Sequence, residues 1–252
     1  IRRPPRSTLF PYTTLFDLPN YKPVERDFID YTIQATLPHK LSQYGPGIAI
    51  GDIDKNGFDD FYLSGTSGNP GVFFMQDSKG KFSLDSSRIV RQPDELNEEM
   101  GVLFFDADND NDLDLYAVGG SYEVPPNHAV AQDRLFINNG NGQFKLAVNA
   151  LPVEVTNGSC VRAADFDKDG DLDLFVGGRV VSGAYPSDPN SYILKNTGGK
   201  FTDVTKQLCP SLQKIGMVTD ALWSDFDKDG KIDLVLTRSE EHTSELQSQN
   251  RI

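Results

Sequence analysis

The sequence predicts an all-β protein built from repeated four-stranded antiparallel units. An acidic nine-residue loop occurs four times, at residues 52–60, 106–114, 165–173 and 225–233. A short apolar run stands on each side of every loop, which is typical of short strands. The first aspartates of successive loops lie 54, 59 and 60 residues apart. A long, near-constant period of this kind indicates a repeat architecture.

Each repeat contains the residues for up to four strands. The first runs, which precede the loops, are 47–50, 101–105, 160–164 and 219–223, and the second runs, which follow them, are 61–63, 115–118, 174–176 and 234–236. Third runs follow at 72–75, 134–137 and 192–195. Each third run leads into a turn rich in Gly, Asn and Asp and then an aromatic residue: Phe82, Phe144 or Phe201. This pattern predicts a hairpin between the third and fourth strands.

Four short antiparallel strands in about 55–60 residues are the size of one blade of a β-propeller. A β-sandwich is the alternative, but a sandwich has no reason to repeat its loop chemistry at a fixed period. We therefore predict an incomplete β-propeller with three full blades and two partial ones. Phe28 marks the end of an earlier unit, because it stands 24 residues before Asp52.

The loops have the chemistry of a calcium site. Counted from the first residue, positions 1, 3, 5 and 9 are Asp, with Asn56 as the one exception. Ca²⁺ prefers six to eight oxygen ligands at roughly 2.3–2.6 Å. The predicted ligands are the side chains of Asp52, Asp54, Asn56, Asp60, Asp106, Asp108, Asp110, Asp114, Asp165, Asp167, Asp169, Asp173, Asp225, Asp227, Asp229 and Asp233, and the backbone carbonyls of Phe58, Asp112, Asp171 and Lys231. The chain would hold up to four Ca²⁺ ions.

Other metals and other calcium motifs fit the loops less well. Mg²⁺ demands stricter octahedral geometry, and zinc prefers His or Cys ligands, which do not stand near the loops. An EF-hand needs Glu at position 12 and flanking helices, whereas position 12 is Leu63, Ala117, Val176 or Leu236. Position 6 is Gly in three loops and Asn111 in the second, so we expect a positive φ there.

With these motifs in place, the chain resembles the FG-GAP/VCBS-type repeats of integrin α-subunit propellers. Its loops match the family's Asp-x-Asp-x-Asp-Gly-x-x-Asp calcium loops, and its hairpin aromatics match the outer strand. Segments 37–43 and 178–186 also resemble bacterial secreted proteins similar to cartilage acidic protein. The resemblance covers about residues 17–237 and implies the fold and the metal, but it specifies no activity.

The two ends of the chain break the repeat. Residues 1–16 and 238–252 resemble translated sequencing-adapter read-through, as found at the ends of metagenomic gene fragments, and we set them aside as non-native. Genuine flexible tails are the alternative. The predicted propeller fragment is therefore 17–237, and we expect the natural protein to be longer.

The charge of the chain excludes one class of partner and indicates a compartment. The four loops hold 18 Asp and four Lys, a net −14, so the rest of the chain carries about +1 of the total of −13. Nucleic-acid binding is disfavoured because it needs basic patches, and no apolar run approaches a membrane span. Extracellular calcium modules bind with Kd of about 10⁻⁴–10⁻³ M, which favours an extracellular, periplasmic or cell-surface location. Whether Cys160 and Cys209 pair stays open.

Catalytic motifs are absent from the sequence. It contains neither a Gly-x-Ser-x-Gly elbow nor a phosphate loop. The long connections after the second strands are better functional candidates, and they leave the face opposite the calcium loops. From them we select Tyr122, His128, Arg179 and Tyr185 as candidate ligand-binding residues. We expect a non-enzymatic, calcium-stabilised extracellular module that binds a protein or a glycan; the alternative is the propeller of a carbohydrate-active enzyme such as a polysaccharide lyase.

Overall fold

The computed structural model describes residues 21–24, 27–42, 44–89 and 97–239. Its strands are β1 (Ile48–Gly51), β2 (Asp60–Leu63), β3 (Val72–Gln76), β4 (Phe82–Asp85), β5 (Glu98–Phe105), β6 (Asp114–Gly120), β7 (Arg134–Asn138), β8 (Phe144–Leu146), β9 (Asn157–Ala164), β10 (Asp173–Val180), β11 (Tyr192–Thr197), β12 (Lys200–Asp203), β13 (Met217–Ser224) and β14 (Asp233–Ser239). One short α-helix, α1 (Thr205–Leu208), and 3-10 turns at Asp30–Thr32, Ala129–Ala131 and Pro210–Lys214 lie in the connections.

The strands form separate antiparallel sheets in chain order. Three sheets have four strands, with the orders β1-β2-β3-β4, β5-β6-β7-β8 and β9-β10-β11-β12, and the fourth contains β13 and β14. We refer to them as blades 1 to 4. This blade-like all-β architecture confirms the predicted fold class, including three complete blades and a fourth of two strands. Among the described residues the sheets do not close into a ring.

The alternation of side chains along each strand explains why the blades stack. In blade 2, Leu115 and Ala117 pack in the apolar cluster shared with blade 1, whereas Tyr116 and Val118 pack in the cluster shared with blade 3. Successive side chains of a strand point to opposite faces, so both faces of the sheet are covered. A third cluster joins blades 3 and 4 through Phe175 and other side chains. The rigid stack of sheets fixes the position of every loop at its edges.

The first strands of neighbouring blades run side by side. A Cβ atom on Gly101 of β5 would lie 2.7 Å from the carbonyl oxygen of Ser159 in β9. Only glycine allows two backbones to approach this closely. The outer faces of the stack are only partly covered: Tyr21 packs on Phe74 of blade 1, whereas Ile48 and Ile50 in blade 1 and Leu222 in blade 4 are more than half exposed.

The described residues before β1 contain one short 3-10 turn, at Asp30–Thr32, and no strand. Phe28, predicted to end an earlier unit, therefore does not lie in a strand. Residues 1–16 and 240–252, which include most of the predicted non-native tails, lie outside the described residues. No helix in the described ranges has the length and apolar character needed to cross a bilayer.

Candidate metal centre

The four acidic loops share one hydrogen-bond frame. In every loop the backbone N–H at position 2 donates to Oδ2 of the aspartate at position 9, over 2.8–3.3 Å. In blades 1 to 3 the other oxygen of that aspartate accepts a 2.8 Å bond from a third-strand N–H: Gln76, Asn138 or Asn196. The position-9 carboxylate therefore ties the start of its loop to the third strand of its blade.

The first aspartate holds the turn of each loop. Its Oδ2 accepts the backbone N–H at position 6, over 2.8–3.1 Å, in all four loops. The backbone N–H at position 7 donates to the side chain at position 5, over 2.8–3.0 Å. These bonds curl the chain around its own carboxylates, so the side chains at positions 1, 3 and 9 face a common centre in the first three loops.

The curl requires left-handed backbone at two places. Position 6 has φ of 88°, 65°, 97° and 84° at Gly57, Asn111, Gly170 and Gly230, which confirms the prediction for that position. Position 4 also has a positive φ, between 59° and 63°, at Lys55, Asn109, Lys168 and Lys228. The sequence pattern did not indicate this second place, because lysine rarely adopts this region.

The loops bring carboxylate oxygens together. The clusters with ligand atoms within 4.8 Å of one another are Asp52, Asp54 and Asp60; Asp106, Asp108 and Asp114; Asp165, Asp167 and Asp173; and Asp225, Asp227 and Asp229. Two oxygens on opposite sides of an ion at about 2.4 Å lie about 4.8 Å apart, so each cluster can hold one ion. In the fourth loop Asp229 takes the place that the position-9 aspartate has in the others, and Asp233 is not part of the cluster.

Burial changes the proton affinity of the position-9 aspartates. Asp60, Asp114 and Asp173 have no exposed surface. Burial raises their pKa from 3.8 to about 6, 7 and 6, respectively, against the opposing effect of their backbone hydrogen bonds. Burial disfavours the charged form unless a positive charge is near, so these three loops favour the arrival of a cation.

The second loop contains buried carboxylate oxygens that lack a hydrogen-bond donor within the described part of the chain. Oδ1 of Asp108 and Oδ1 of Asp112 are buried and accept no hydrogen bond from the described residues. Burial, followed by the neighbouring Asp110, raises the pKa of both carboxyls, that of Asp112 to about 6. Leaving a buried acceptor unsatisfied costs about 1–3 kcal/mol, and more if it is charged. A cation in the second loop would remove this cost, so the donor set fits a metal ion.

The third loop differs because an ammonium group lies against it. Nζ of Lys195 in β11 contacts Oδ2 of Asp167 and lies 3.0 Å from Oδ2 of Asp169. The hydrogen bonds to these two carboxylates raise the pKa of Lys195. The sequence placed Asp167 and Asp169 among the metal ligands but gave no role to Lys195, which lies 22 residues after the loop ends at Asp173.

Neighbouring loops are linked by residues that the loop pattern alone does not identify. The side-chain amide of Asn138 donates to the carbonyl of Ile53 in the first loop, over 2.9 Å, and Asn196 donates likewise to Ala107, over 2.8 Å. Asn109 Nδ2 lies 2.5 Å from Oδ1 of Asp171, and Lys168 Nζ donates to the carbonyl of Gly230. The Asn near the end of the third strands of blades 2 and 3, before the Gly-rich turn, is the sequence feature that could have revealed the first two links.

The other end of the blades holds the four candidate ligand-binding residues. The connections after the second strands leave the sheets there because adjacent strands are antiparallel. The side chain of Tyr122 is only 2% exposed, and Arg179 and Tyr185 are half-buried. His128 is exposed, and its Nδ1 accepts the backbone N–H of Val130. The structure thus presents one of the four as an open surface residue.

A segment that precedes blade 1 covers the other three. Oε1 of Gln34 accepts the backbone N–H of Tyr185 over 2.9 Å, and its Nε2 donates to the Tyr185 carbonyl over 2.6 Å. The guanidinium of Arg179 lies 4.7 Å from the centre of the Tyr44 ring. Buried Asp30 ties this segment together by accepting hydrogen bonds from the backbone of Leu41 and Ser42. The segment is therefore part of the packed fold at this end of the blades.

The two cysteines are buried and unpaired. Both belong to the apolar cluster between blades 3 and 4. Cys160 in β9 is 5% exposed and packs there as a small apolar residue.

Comparisons with known proteins agree with this geometry. Residues 126–176 match the FG-GAP-like repeat, and the match contains β7, β8, β9, the third acidic loop and the first half of β10. The chain is 27% identical to cartilage acidic protein 1 of Mus musculus over 209 residues, 27% identical to that of Xenopus tropicalis over 212, and 26% identical to that of Homo sapiens over 209. Each alignment covers 79% of this chain and only 29–30% of the relative. The chain therefore contains a match to the FG-GAP-like repeat and is similar to cartilage acidic protein 1 over most of its length, which confirms the resemblance to FG-GAP-type proteins.

Proposed function

We propose that the chain is part of a calcium-stabilised extracellular binding or adhesion module, in which the metal has a structural role. The observation that carries the proposal is the second loop, where carboxylate oxygens of three aspartates converge within 4.8 Å and Asp108 keeps a buried oxygen without a partner. Ca²⁺ would supply the positive charge and the oxygen coordination that such a loop needs.

The ligands of each ion would come mainly from its own loop. The clustered aspartates at positions 1, 3 and 9 are the central donors in the first three loops, with position 5 and the carbonyl at position 7 completing the shell. In the fourth loop Asp225, Asp227 and Asp229 are the clustered donors. Since every loop joins two strands of one blade, filling it would fix the edge of that blade.

A calcium concentration in the millimolar range suits such open loops, and it is found outside cells. This supports an extracellular, periplasmic or cell-surface location. The chain spans about 30% of the length of the curated relatives that it matches, so the activity and partners of the whole protein are proposals as well.

The end opposite the acidic loops is the proposed recognition surface for a protein or glycan. A cavity of about 210 Å³ opens there. Pro125 and Asn127 of blade 2 form one side, and Asn157, Ser182 and Lys214 lie around the rest. Amide, hydroxyl and ammonium groups on a rigid scaffold fit a ligand rich in hydroxyl or carboxylate oxygens. The exposed His128 follows Asn127 in the same connection.

Thermal unfolding with and without calcium tests the structural role. We expect millimolar Ca²⁺ to raise Tm by a few degrees in a cooperative transition, since a ligand of the folded state at about ten times its Kd adds about 1.4 kcal/mol per site. EDTA should reverse the rise, and equal Mg²⁺ should give a smaller one. An unchanged Tm with Ca²⁺ would contradict the proposal.

Binding to a glycan array and to a panel of extracellular matrix proteins tests the recognition surface. The calcium-loaded chain is compared with Lys214→Ala and His128→Ala, and Lys206→Ala in exposed α1 serves as the matched control. We expect the first two changes to weaken binding and the control to leave it unchanged. Turnover of an acidic polysaccharide would instead support the carbohydrate-active alternative.

A further inference from the structure

Lys195 occupies a position that two other blades fill with an apolar residue. The backbone N–H groups of Gln76, Asn138 and Asn196 make the same hydrogen bond to the position-9 aspartate of their own loops. The preceding residues, Met75, Ile137 and Lys195, are therefore equivalent. Only blade 3 places a cationic side chain there, beside an acidic loop.

The ammonium group of Lys195 neutralises carboxylate oxygens that a metal ion in this loop would also need as ligands. It pairs with Asp167 and Asp169, at positions 3 and 5 of the third loop. The side chain of Lys195 is 36% exposed, so it can leave the loop for solvent by rotating about its flexible stem. Metal and ammonium cannot both hold the Oδ2 atom of Asp167 at close range.

The first two loops have no lysine at the equivalent third-strand position, which is Met75 in blade 1 and Ile137 in blade 2. In the first loop the nearest ion pair is Arg88 to Asp54, at 4.0 Å, and Arg88 is already bound to Asp85 at 2.9 Å. The second loop has the same five aspartates as the third, but Asp108 at position 3 has an oxygen without a partner there. The second and third loops share these aspartates and differ at the third-strand residue, Ile137 against Lys195. They also differ at loop positions 2, 4 and 6, which are Ala, Asn and Asn in the second loop and Phe, Lys and Gly in the third.

We propose that Lys195 is an intramolecular competitor of Ca²⁺ in the third loop, so that this loop binds the ion more weakly than the second and stays folded when calcium is low. The inference rests on the proposed calcium function. It assigns Lys195 a positioning role that tunes one site, without contact to the ion. Partly exposed ion pairs of this kind are weak, so we expect a change in affinity of about three- to tenfold.

Calorimetric Ca²⁺ titration of the whole chain and of Lys195→Met tests the inference. Methionine is the residue that blade 1 has at this position, and Lys206→Met on exposed α1 removes the same charge elsewhere. We expect one class of sites to bind about three- to tenfold more tightly in Lys195→Met, and to be unchanged in Lys206→Met. Adding Asp165→Asn should remove that class and so identify it as the third loop. The difference should shrink as KCl is raised, because salt screens partly exposed ion pairs.

Thermal unfolding provides a second measurement, because a lysine that does not interact with the third loop would leave Tm unchanged when it is replaced. Without calcium, Lys195→Met should unfold at a lower temperature than the unaltered chain, because its third loop has lost the compensating charge. The Tm gain on adding calcium should be larger in Lys195→Met than in the unaltered chain. Lys195→Gln, which keeps a polar side chain, should behave like Lys195→Met and guards against a packing defect.

These experiments distinguish failure of the proposed calcium function from failure of the proposed role of Lys195. If the unaltered chain binds no Ca²⁺, the proposed function is wrong. If Ca²⁺ binds and both variants leave every site affinity and the calcium-free Tm unchanged, the competitor role of Lys195 is wrong while the calcium function stands.

Discussion

In the second acidic loop an oxygen of Asp108 is buried without a partner, whereas in the third loop the equivalent Asp167 contacts the ammonium group of Lys195. The two loops have the same backbone frame and the same aspartates at positions 1, 3, 5, 7 and 9. They differ in the third strand of their own blade, which supplies Ile137 to one and Lys195 to the other. They also differ because the turn at Gly199 of blade 3 lies against Asp108. The charge balance of a loop is therefore set partly by a residue far along the chain.

The comparison also shows that the aspartates at positions 9 and 3 have different roles within one loop. The position-9 aspartates, Asp114 and Asp173, are fully buried and bond backbone in both loops. The position-3 aspartates differ in whether they have a partner. Position 9 thus bonds the backbone of its blade in either loop, whereas between these two loops an ion pair at position 3 occurs, among the described residues, only in the third.

The largest effect should follow removal of the position-9 carboxylate. Asp114→Ala and Asp173→Ala each leave two backbone N–H groups without their acceptor, at about 1–3 kcal/mol apiece. We expect each to lower the free energy of unfolding by roughly 3 kcal/mol, measured by urea denaturation in EDTA. The exposed Asp59→Ala is the matched control, with an expected change under about 0.5 kcal/mol. Equal losses in all three variants would remove the structural distinction between position 9 and the loop surface.

An intermediate effect should appear at Glu154, which lies away from the acidic loops. Its side chain is 3% exposed and its Oε1 has no hydrogen-bond partner among the described residues. Burial, together with neighbouring Asp133 and Asp203, raises its pKa above the ordinary 4.5. The folded state therefore holds a proton that the unfolded chain releases above pH 4.5. The free energy of unfolding falls as pH rises above 4.5, by up to about 1.4 kcal/mol per pH unit.

Glu154→Gln should remove this loss. We expect the variant to be more stable than the unaltered chain at pH 8 by about 1–2 kcal/mol, and the gap to narrow toward pH 5, in denaturation curves at fixed saturating calcium. Saturating calcium keeps the loop aspartates ionised in both proteins, so they cancel in the difference. A pH-independent gap would show that the buried carboxyl of Glu154 does not titrate in this window.

The smallest and most discriminating effect compares Asp108→Asn with Asp167→Asn in EDTA. Asp108→Asn removes an uncompensated charge, so it should stabilise the calcium-free chain by about 0.5 kcal/mol, or 1–2 °C in Tm. Asp167→Asn also removes the ion pair with Lys195, so we expect no stabilisation from it. The same sign and size for both changes would mean that Lys195 does not distinguish the two loops.

Much of the fold was predictable from the sequence because its signals are local. The period of the loops, the apolar runs and the hairpin turns placed all fourteen strands, and the glycine or asparagine at position 6 has the expected positive φ. The predicted aspartates at positions 1, 3 and 9 of the first three loops converge, whereas the predicted position-5 ligands, Asn56, Asp110 and Asp169, are not in those clusters. The fourth loop differs, since Asp229 replaces Asp233 in the cluster.

Other features depended on contacts between distant segments. Tyr122, Arg179 and Tyr185 look like surface anchors in the sequence, but residues of the segment before blade 1, such as Gln34 and Tyr44, lie against them. No local sequence pattern predicts that this segment buries them, because the contacts join residues more than 80 positions apart. The position-4 backbone, left-handed at lysine, follows likewise from the curl that the whole loop imposes.

The sequence by itself determined the repeat, the strand order and the acidic donor set, because each depends on residues close together in the chain. Only the tertiary structure decided how each loop's charge is balanced. Ile137 and Lys195 stand at equivalent places in their blades, yet their relation to the loops exists only once the third strand has paired beside the second. Charges interact through space, so a carboxylate's partner is fixed by folding and not by its neighbours in sequence.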